Sequence, residues 1–264
     1  MDFLKVSGKT FLITGVSNRK SVAFFSAKVL SDSGAKLIFT AQSDEHFARI
    51  EKLFPESEIF ILDVENKDQI ESLGIKLKEK DVQLQGMLHS IAFANFSEGP
   101  KPFHETKLED FQQATNISSF SLVSLSNALK DVFSQDASVV TISISDTRAT
   151  SYGYMGPIKA MLDATVAYLS KSFSQFSEVR FNAVCSGPLK TSASAGIPGY
   201  VNNYLFAEKL TLRKKALKTT EVADTVAFLL SGRSSGINAT GILVDAGMSC
   251  NHFDQDVVNT VASN

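Results

Sequence analysis

The segment Ser151 to Ala160, SYGYMGPIKA, brings two phenols and one amine within ten residues. A tyrosine hydroxyl can stabilise an oxygen that gains negative charge, and a lysine can hold sugar hydroxyls or tune a phenol through its own charge. On a continuous helix Tyr154 and Lys159, five apart, would point to different sides, whereas Tyr152 and Lys159, seven apart, would share a face nearly two turns long. The axial offset at that spacing is about 10 Å, so the pair would grip one extended ligand rather than touch. Tyr and Lys also recur on helix faces without any chemistry, and the surrounding elements must decide.

A second group of residues points to a phosphate-bearing ligand. TGVSNRKSVA follows an apolar run and opens an amphipathic one. Gly15 allows a tight turn, Ser21 can cap a helix, and the free N–H groups of a helix start attract a diphosphate. A dinucleotide turn ordinarily carries three glycines; here only Gly15 stands, and an ordinary strand-to-helix turn explains it as well. Asp63, closing FILDV, can accept from an adenine amino group or cap the helix that follows. Gln42 ends a second run, where ribose selectivity is set. It can bind a 2′-hydroxyl but offers no charge to a 2′-phosphate, which favours NADH over NADPH; Arg19 and Lys20 in the turn pull the other way.

Those residues need a scaffold that brings strand ends together. Short apolar runs (TFLITG, KLIFTA, EIFILDV, GMLHSIAFA, SVVTISIS, VRFNAVCSG, GILVDAG) alternate with helical stretches at 21–33, 44–53, 67–78, 108–133, 154–173 and 220–230. Continuous runs rich in Ile, Leu, Val and Phe suit strands buried on both faces. Strict alternation with helices predicts an α/β fold, a doubly wound parallel sheet of Rossmann type in a single domain spanning 1–264. Residues 190–218 carry no strand and interrupt the rhythm after a strand's carboxyl end, a place suited to a segment covering a substrate.

Composition narrows the function classes. The 264 residues are 44% hydrophobic, and 26 basic against 28 acidic side chains leave a net charge of −2. No basic block points to nucleic acid, and no apolar stretch reaches the roughly 18 residues that span a bilayer. The start MDFLKVSGKTFLITG lacks the pattern of a secretory leader, and the two cysteines, Cys185 and Cys250, form no disulfide framework, so a cytoplasmic location is expected. The four histidines are scattered, with no metal-ligand spacing.

Taken together, TGVSNRKSVA, FILDV, LHSIAFA, NISSFS, Tyr152-x6-Lys159, NAVCSGPLKTSASAGI and TGILVDAG, in this order from Gly8 to Gly247, resemble the short-chain dehydrogenase/reductase superfamily. Within it they resemble a divergent bacterial NADH-dependent enoyl-acyl-carrier-protein reductase. The single-glycine turn followed by Ser-Val-Ala and the Tyr-to-Lys spacing of seven mark that branch. The resemblance implies reduction of the C2=C3 bond of a trans-2-enoyl thioester in fatty acid elongation, with Tyr152 and Lys159 catalytic and Tyr154 a packing residue. It implies that Gly15, Ser21 and Val22 hold the diphosphate, Gln42 the ribose, and Asp63 and Val64 the adenine. Ser90, Ile91 and Ala92 would line the cofactor path, Lys159 would hold the nicotinamide ribose and favour charge on Tyr152, and Leu189 and Thr191 would meet the carboxamide. Ala94, Ile144, Tyr152, Met155, Ala193, Ile197 and Tyr200 would face the substrate, beneath a helical lid within about 190–218. By the same resemblance, partners would be an acyl thioester riding on an acidic carrier protein, and three further copies in a homotetramer.

The chain departs from that pattern in two places. A second tyrosine usual at the end of the SVVTISIS strand is replaced by Ile144, flanked by Ser143 and Ser145, and Ile cannot donate a hydrogen bond. The segment SASAGIPGYVNNYLFA has no charge, so carrier steering would fall to Lys190, Arg213, Lys214, Lys215 and Lys218 beside it. Both departures keep open a second reading, a reductase of the same fold acting on a specialised acyl, polyketide or carbonyl substrate. A third, a dinucleotide-binding protein without turnover, sits poorly with the retention of both Tyr152 and Lys159.

Overall fold

The computed structural model of the chain describes residues 2–97, 99, 101–191, 194 and 199–262; Ala193 and Ile197, expected at the substrate, lie outside them. In chain order the elements are β1 (Thr10–Ile13), α1 (Val22–Asp32), β2 (Lys36–Ala41), α2 (Asp44–Leu53), β3 (Glu58–Ile61), α3 (Lys67–Glu79), β4 (Leu84–His89), α4 (Leu108–Thr115), α5 (Ser121–Leu129), β5 (Phe133–Ile144), α6 (Met155–Phe173), β6 (Arg180–Ser186), α7 (Tyr200–Leu210), α8 (Thr219–Leu230), β7 (Thr240–Val244) and α9 (Gln255–Ala262). The strands form one sheet in the order β3-β2-β1-β4-β5-β6-β7, with every pair parallel. Parallel pairing puts all carboxyl ends on one rim, and the order reverses between β1 and β4, where a doubly wound sheet opens its crevice.

Helices cover both faces because the strands are apolar on both sides. Leu12, Met87, Val139 and Phe181 face one buried layer with residues of α3, α5 and α6. Phe11, Ile13, Phe39, Leu88, Val140 and Val184 face the other, against α1 and α8. A third, smaller core of Ala114, Tyr154, Met155 and Ile158, with Ala94, Phe96, Phe111 and Tyr152 packed on it, lies at the rim. Short side chains define the helix starts: the Ser21 hydroxyl accepts from the Phe24 N–H (3.1 Å), Ser43 from His46, and Asn66 from Gln69 (3.1 Å).

Three expectations are corrected. The helix expected over 108–133 is two helices joined by a π turn at Asn116–Phe120, and it stops at Leu129; Phe133 already belongs to β5. The EIFILDV strand ends at Ile61, leaving Asp63 in the exit loop. The helix expected from Tyr154 starts at Met155, after a 3-10 turn at Thr150–Tyr152 and Gly153 in the left-handed region. Among the described residues, no helix is long and apolar enough to cross a membrane, and no cluster of His, Cys, Asp or Glu could hold a metal ion.

Candidate active site

The rim gathers the predicted residues from separate strands. Gly15 follows β1, Gln42 follows β2, Asp63 lies past β3, Ser90 follows β4, Ile144 ends β5, and Leu189 lies past β6. Gly15 has φ +80, and a methyl built on it would stand 1.9 Å from the carbonyl oxygen of Ser90. Only glycine fits where the two exit loops approach so closely. One glycine thus makes the cradle for which the usual pattern uses three. Thr14 fixes the same seam: its hydroxyl donates to the Leu88 carbonyl (3.0 Å) and accepts from the Ser90 N–H (3.2 Å). Past the turn, Ser21 donates to the Asn18 carbonyl (2.9 Å) and caps α1, which buried Val22 opens, so a helix start follows directly on the seam. These features fit a diphosphate.

The adenosine end is built from exposed and half-buried groups. Gln42 is exposed, and α2 opens immediately after it with Asp44 and Glu45. Arg49 of α2 reaches back to the Ser17 carbonyl (2.8 Å) and pairs with Glu45 (2.5 Å), tying α2 to the glycine turn. Asp63 is half-buried: its N–H donates to Gln69 Oε1 (2.7 Å) and its Oδ1 accepts from the Glu65 N–H (3.0 Å). The cap of α3 is Asn66, so Asp63 is not the helix cap that its position also suggested. Val64 beside it is buried. On β4's exit, Ile91 is half-buried and Ala92 exposed.

Tyr152 sits outside α6, so the two-turn spacing to Lys159 does not govern the pair; the 3-10 turn and Gly153 set the phenol instead. It rests on the small rim core with Met155, Ile158 and Ala94. Met155, expected at the substrate, is buried within that core and supports Tyr152 from below. Tyr154 packs there too, its ring 5.6 Å from that of Phe96, and its hydroxyl donates to the Asn95 carbonyl (3.0 Å). Burial pushes the Tyr152 phenol up to about 12, and the nearby Tyr200 phenol adds to the rise. Tyr152 is therefore a neutral O–H donor.

Lys159 is fully buried. Its ammonium donates to the Ile142 carbonyl (2.8 Å), and burial pulls its pKa down to about 8 against the opposing pull of Asp163 and Cys185. Asp163 lies one helical turn further along α6, and its buried carboxylate faces the buried Ser143 hydroxyl. Sequence reasoning missed Asp163, although its i,i+4 spacing from Lys159 was visible. Ser143 is 1% exposed, so it cannot replace the missing strand-end tyrosine as a donor to substrate. Ile144 at that place is half-buried.

The remaining walls come from hydroxyl clamps on backbone. Ser118, in the π turn, accepts from the Phe93 N–H (2.9 Å) and donates to the Phe93 carbonyl (3.0 Å). Tyr200, first residue of α7, makes the same pair with Leu189, accepting from its N–H (2.9 Å) and donating to its carbonyl (2.9 Å). Thr191 is knotted to Ser194, whose hydroxyl accepts from the Thr191 N–H (2.9 Å) and donates to its carbonyl (2.8 Å). Of the bases beside the lid, Arg213 pairs with Glu221 (2.6 Å) and Lys214 with Asp254, while Lys190, Lys215 and Lys218 are exposed.

The chain matches known proteins along nearly its whole length. The family model described as Enoyl-(Acyl carrier protein) reductase matches residues 15–249. The chain belongs to the enoyl-(acyl carrier protein) reductase family. It is 34% identical over 252 residues to Enoyl-[acyl-carrier-protein] reductase [NADPH] FabI of Staphylococcus aureus, covering 92% of this chain and 98% of that one. To Enoyl-[acyl-carrier-protein] reductase [NADH] FabI of Nostoc it is 34% identical over 253 residues, covering 92% and 97%. The crystal structure of the Bacillus cereus enoyl-acyl carrier protein reductase with NADP+ and indole naphthyridinone superposes with a TM-score of 0.87 at 30% identity, over 92% of this chain and 96% of that one. The Aquifex aeolicus enoyl-[acyl-carrier-protein] reductase (NADH) gives 0.87 at 31%, over 92% and 97%. As a family member, the chain is an oxidoreductase of the CH–CH class that uses a nicotinamide dinucleotide.

Proposed function

We propose that this enoyl-(acyl carrier protein) reductase reduces the C2=C3 bond of a trans-2-enoyl thioester with NADH, the acyl group riding on acyl carrier protein. The observation that carries the reading is Tyr152: a phenol kept neutral by burial, seated on its own small core, at the rim where the exit loops of β1 and β4 meet at Gly15 and Ser90. A bound NADH supplies the hydride. The Tyr152 hydroxyl donates to the thioester oxygen as enolate charge builds there, in a site shielded from water. Lys159, oriented by the Ile142 carbonyl, holds the ribose hydroxyls with its ammonium. Leu189 and Thr191 present backbone to the carboxamide, Ile144 and Ala94 line the acyl path, and α7 covers it.

NADH rather than NADPH is supported by uncharged Gln42, by the carboxylates Asp44 and Glu45 next to it, which repel a 2′-phosphate, and by the engagement of Arg49 with Glu45 and Ser17. Exposed Lys190, Lys215 and Lys218 supply the positive rim for an acidic carrier. Phe120, Met161 and Tyr168, the last 79% exposed, give the α5 and α6 side an apolar surface suited to a homotetramer, and the free Cys185 and Cys250 suit the reducing cytoplasm.

NADH oxidation with a short trans-2-enoyl thioester tests the reading. Wild type turns over, and Tyr152→Phe loses about 10²–10³ in kcat. Ile144 and the inward-turned Ser143 favour one competing reading, a reductase of specialised acyl or carbonyl substrates. Turnover of 3-ketoacyl thioesters or ketones in place of enoyl thioesters would establish it.

A further inference from the structure

Arg49 is a cation anchored at the glycine turn. It lies in the second turn of α2, the helix that follows the end of β2, and reaches across to the exit of the neighbouring strand β1. There its Nη1 donates to the carbonyl of Ser17 (2.8 Å), two residues past Gly15. Its Nη2 donates to Glu45 Oε1 (2.5 Å), four residues earlier on the same helix. One end of the fork is thus fixed on the backbone of the turn, and the other is occupied by a carboxylate. The pair faces solvent: the Glu45 side chain is 78% exposed and that of Arg49 39%. Asp44 carries the same charge in the same first turn, yet among the described residues no ion pair joins it to Arg49.

A guanidinium is planar, permanently charged and weakly hydrated, and it binds phosphate through strong charge-assisted hydrogen bonds. The 2′-phosphate is the one group that NADPH has and NADH lacks, and discrimination between them is made where the second strand ends. We infer that Glu45 decides the cofactor choice by withholding Arg49. With the pair intact, a 2′-phosphate meets a carboxylate and an occupied guanidinium. With the carboxylate neutralised, a cation already anchored on Ser17 has its second nitrogen open to that phosphate. The inference rests on the NADH reading and goes beyond it, because it assigns the choice to one side chain and leaves NADPH use latent in the same site. An exposed pair four residues apart on a helix adds little to stability, so Glu45 can be neutralised while the fold stands.

Glu45→Gln keeps the length of the side chain and removes its charge. Calorimetry without acyl substrate measures binding of NADH and of NADPH to wild type, to Glu45→Gln, to Asp44→Asn and to the double variant Glu45→Gln/Arg49→Gln, with thermal melts confirming that each is folded. The ratio of the two affinities is the readout. Glu45→Gln shifts it toward NADPH by about tenfold, the yield of one charge-assisted phosphate contact. Asp44→Asn shifts it by about twofold or less, as loss of one screened surface charge does. The double variant returns it to the wild-type value or below. An unshifted ratio in Glu45→Gln overturns the inference. A shift of equal size in Asp44→Asn also overturns it, because repulsion alone would then explain both. A shift that survives in the double variant overturns it as well, since a cation other than Arg49 would then receive the phosphate. Wild type that binds NADPH more tightly than NADH, or binds neither, removes the underlying NADH reading, a result read before any variant is made.

Discussion

At the residue scale, the proposed chemistry rests on two side chains whose protonation the fold sets in opposite directions. Burial keeps Tyr152 a phenol up to about 12 and lets Lys159 lose its proton near 8. In the role proposed for Lys159, the ammonium present below pH 8 grips the ribose, and above it the grip weakens. NADH affinity is therefore level from pH 6 to about 8 and falls beyond, and a titration of Kd against pH checks this. Asp163 opposes the fall, so Asp163→Asn moves the break to lower pH; an unmoved break would remove Asp163 from that role. Tyr152 and Lys159 stood out in SYGYMGPIKA, but they do not share a helix face, because α6 starts only at Met155. Gly153 ends the 3-10 turn and takes Tyr152 off the helix, a backbone event that spacing alone cannot show. Tyr200's hold on Leu189 was equally hidden, because it joins two residues across a stretch with no periodic pattern.

At the element scale, the alternating strands and helices could be read directly, since each strand is buried on both faces and each helix on one. The break in the helix expected over 108–133 could not. A π turn adds a residue without altering the apolar composition, and what holds it is tertiary: Ser118 on Phe93, and Ser121 donating to the Ile117 carbonyl (2.6 Å) while meeting His89 Nε2 (2.8 Å). His89 also meets Thr141 through Nδ1 (2.9 Å), and burial drives it down to about 3, so it is a neutral strut between β4, β5 and α5. The approach of α3 to α5 has a similar hidden constraint. A methyl at Gly74 would stand 2.2 Å from the Ala128 carbonyl oxygen. Gly74→Ala, normally a helix-favouring change, should here destabilise by about 1–3 kcal/mol through overpacking. Urea denaturation measures it, and a stabilised variant would show that the two helices separate freely.

At the scale of the whole molecule, one sheet with all its carboxyl ends on one rim makes the site a property of the fold rather than of any segment. A ligand bound by the native rim and not by the unfolded chain adds its binding free energy to stability. NADH at 100 times its Kd should raise stability by about 2.7 kcal/mol, read as an upward shift in Tm; no shift at saturating NADH would contradict a cofactor site at this rim. The fold class was legible because apolar runs and strand ends mark it locally, and the residues proposed for the cofactor lie at those strand ends. The substrate end was less so, because contacts such as Asn95 past β4 with Asp110 of α4 (2.9 Å) join residues that no local pattern pairs.

The seam between β1 and β4 has a kinetic side. Thr14 and Leu88, joined across it, are 74 residues apart in the chain. Closing so long a loop delays the reward of parallel pairing and slows folding. The two halves of the sheet can each assemble from nearer neighbours, β1 to β3 on one side and β4 to β7 on the other, before this joint is made. A dinucleotide laid across Gly15 and Ser90 would then act as a clasp on the joint that closes last, and the holoenzyme would lose its native state more slowly than the bare chain when challenged by heat or protease.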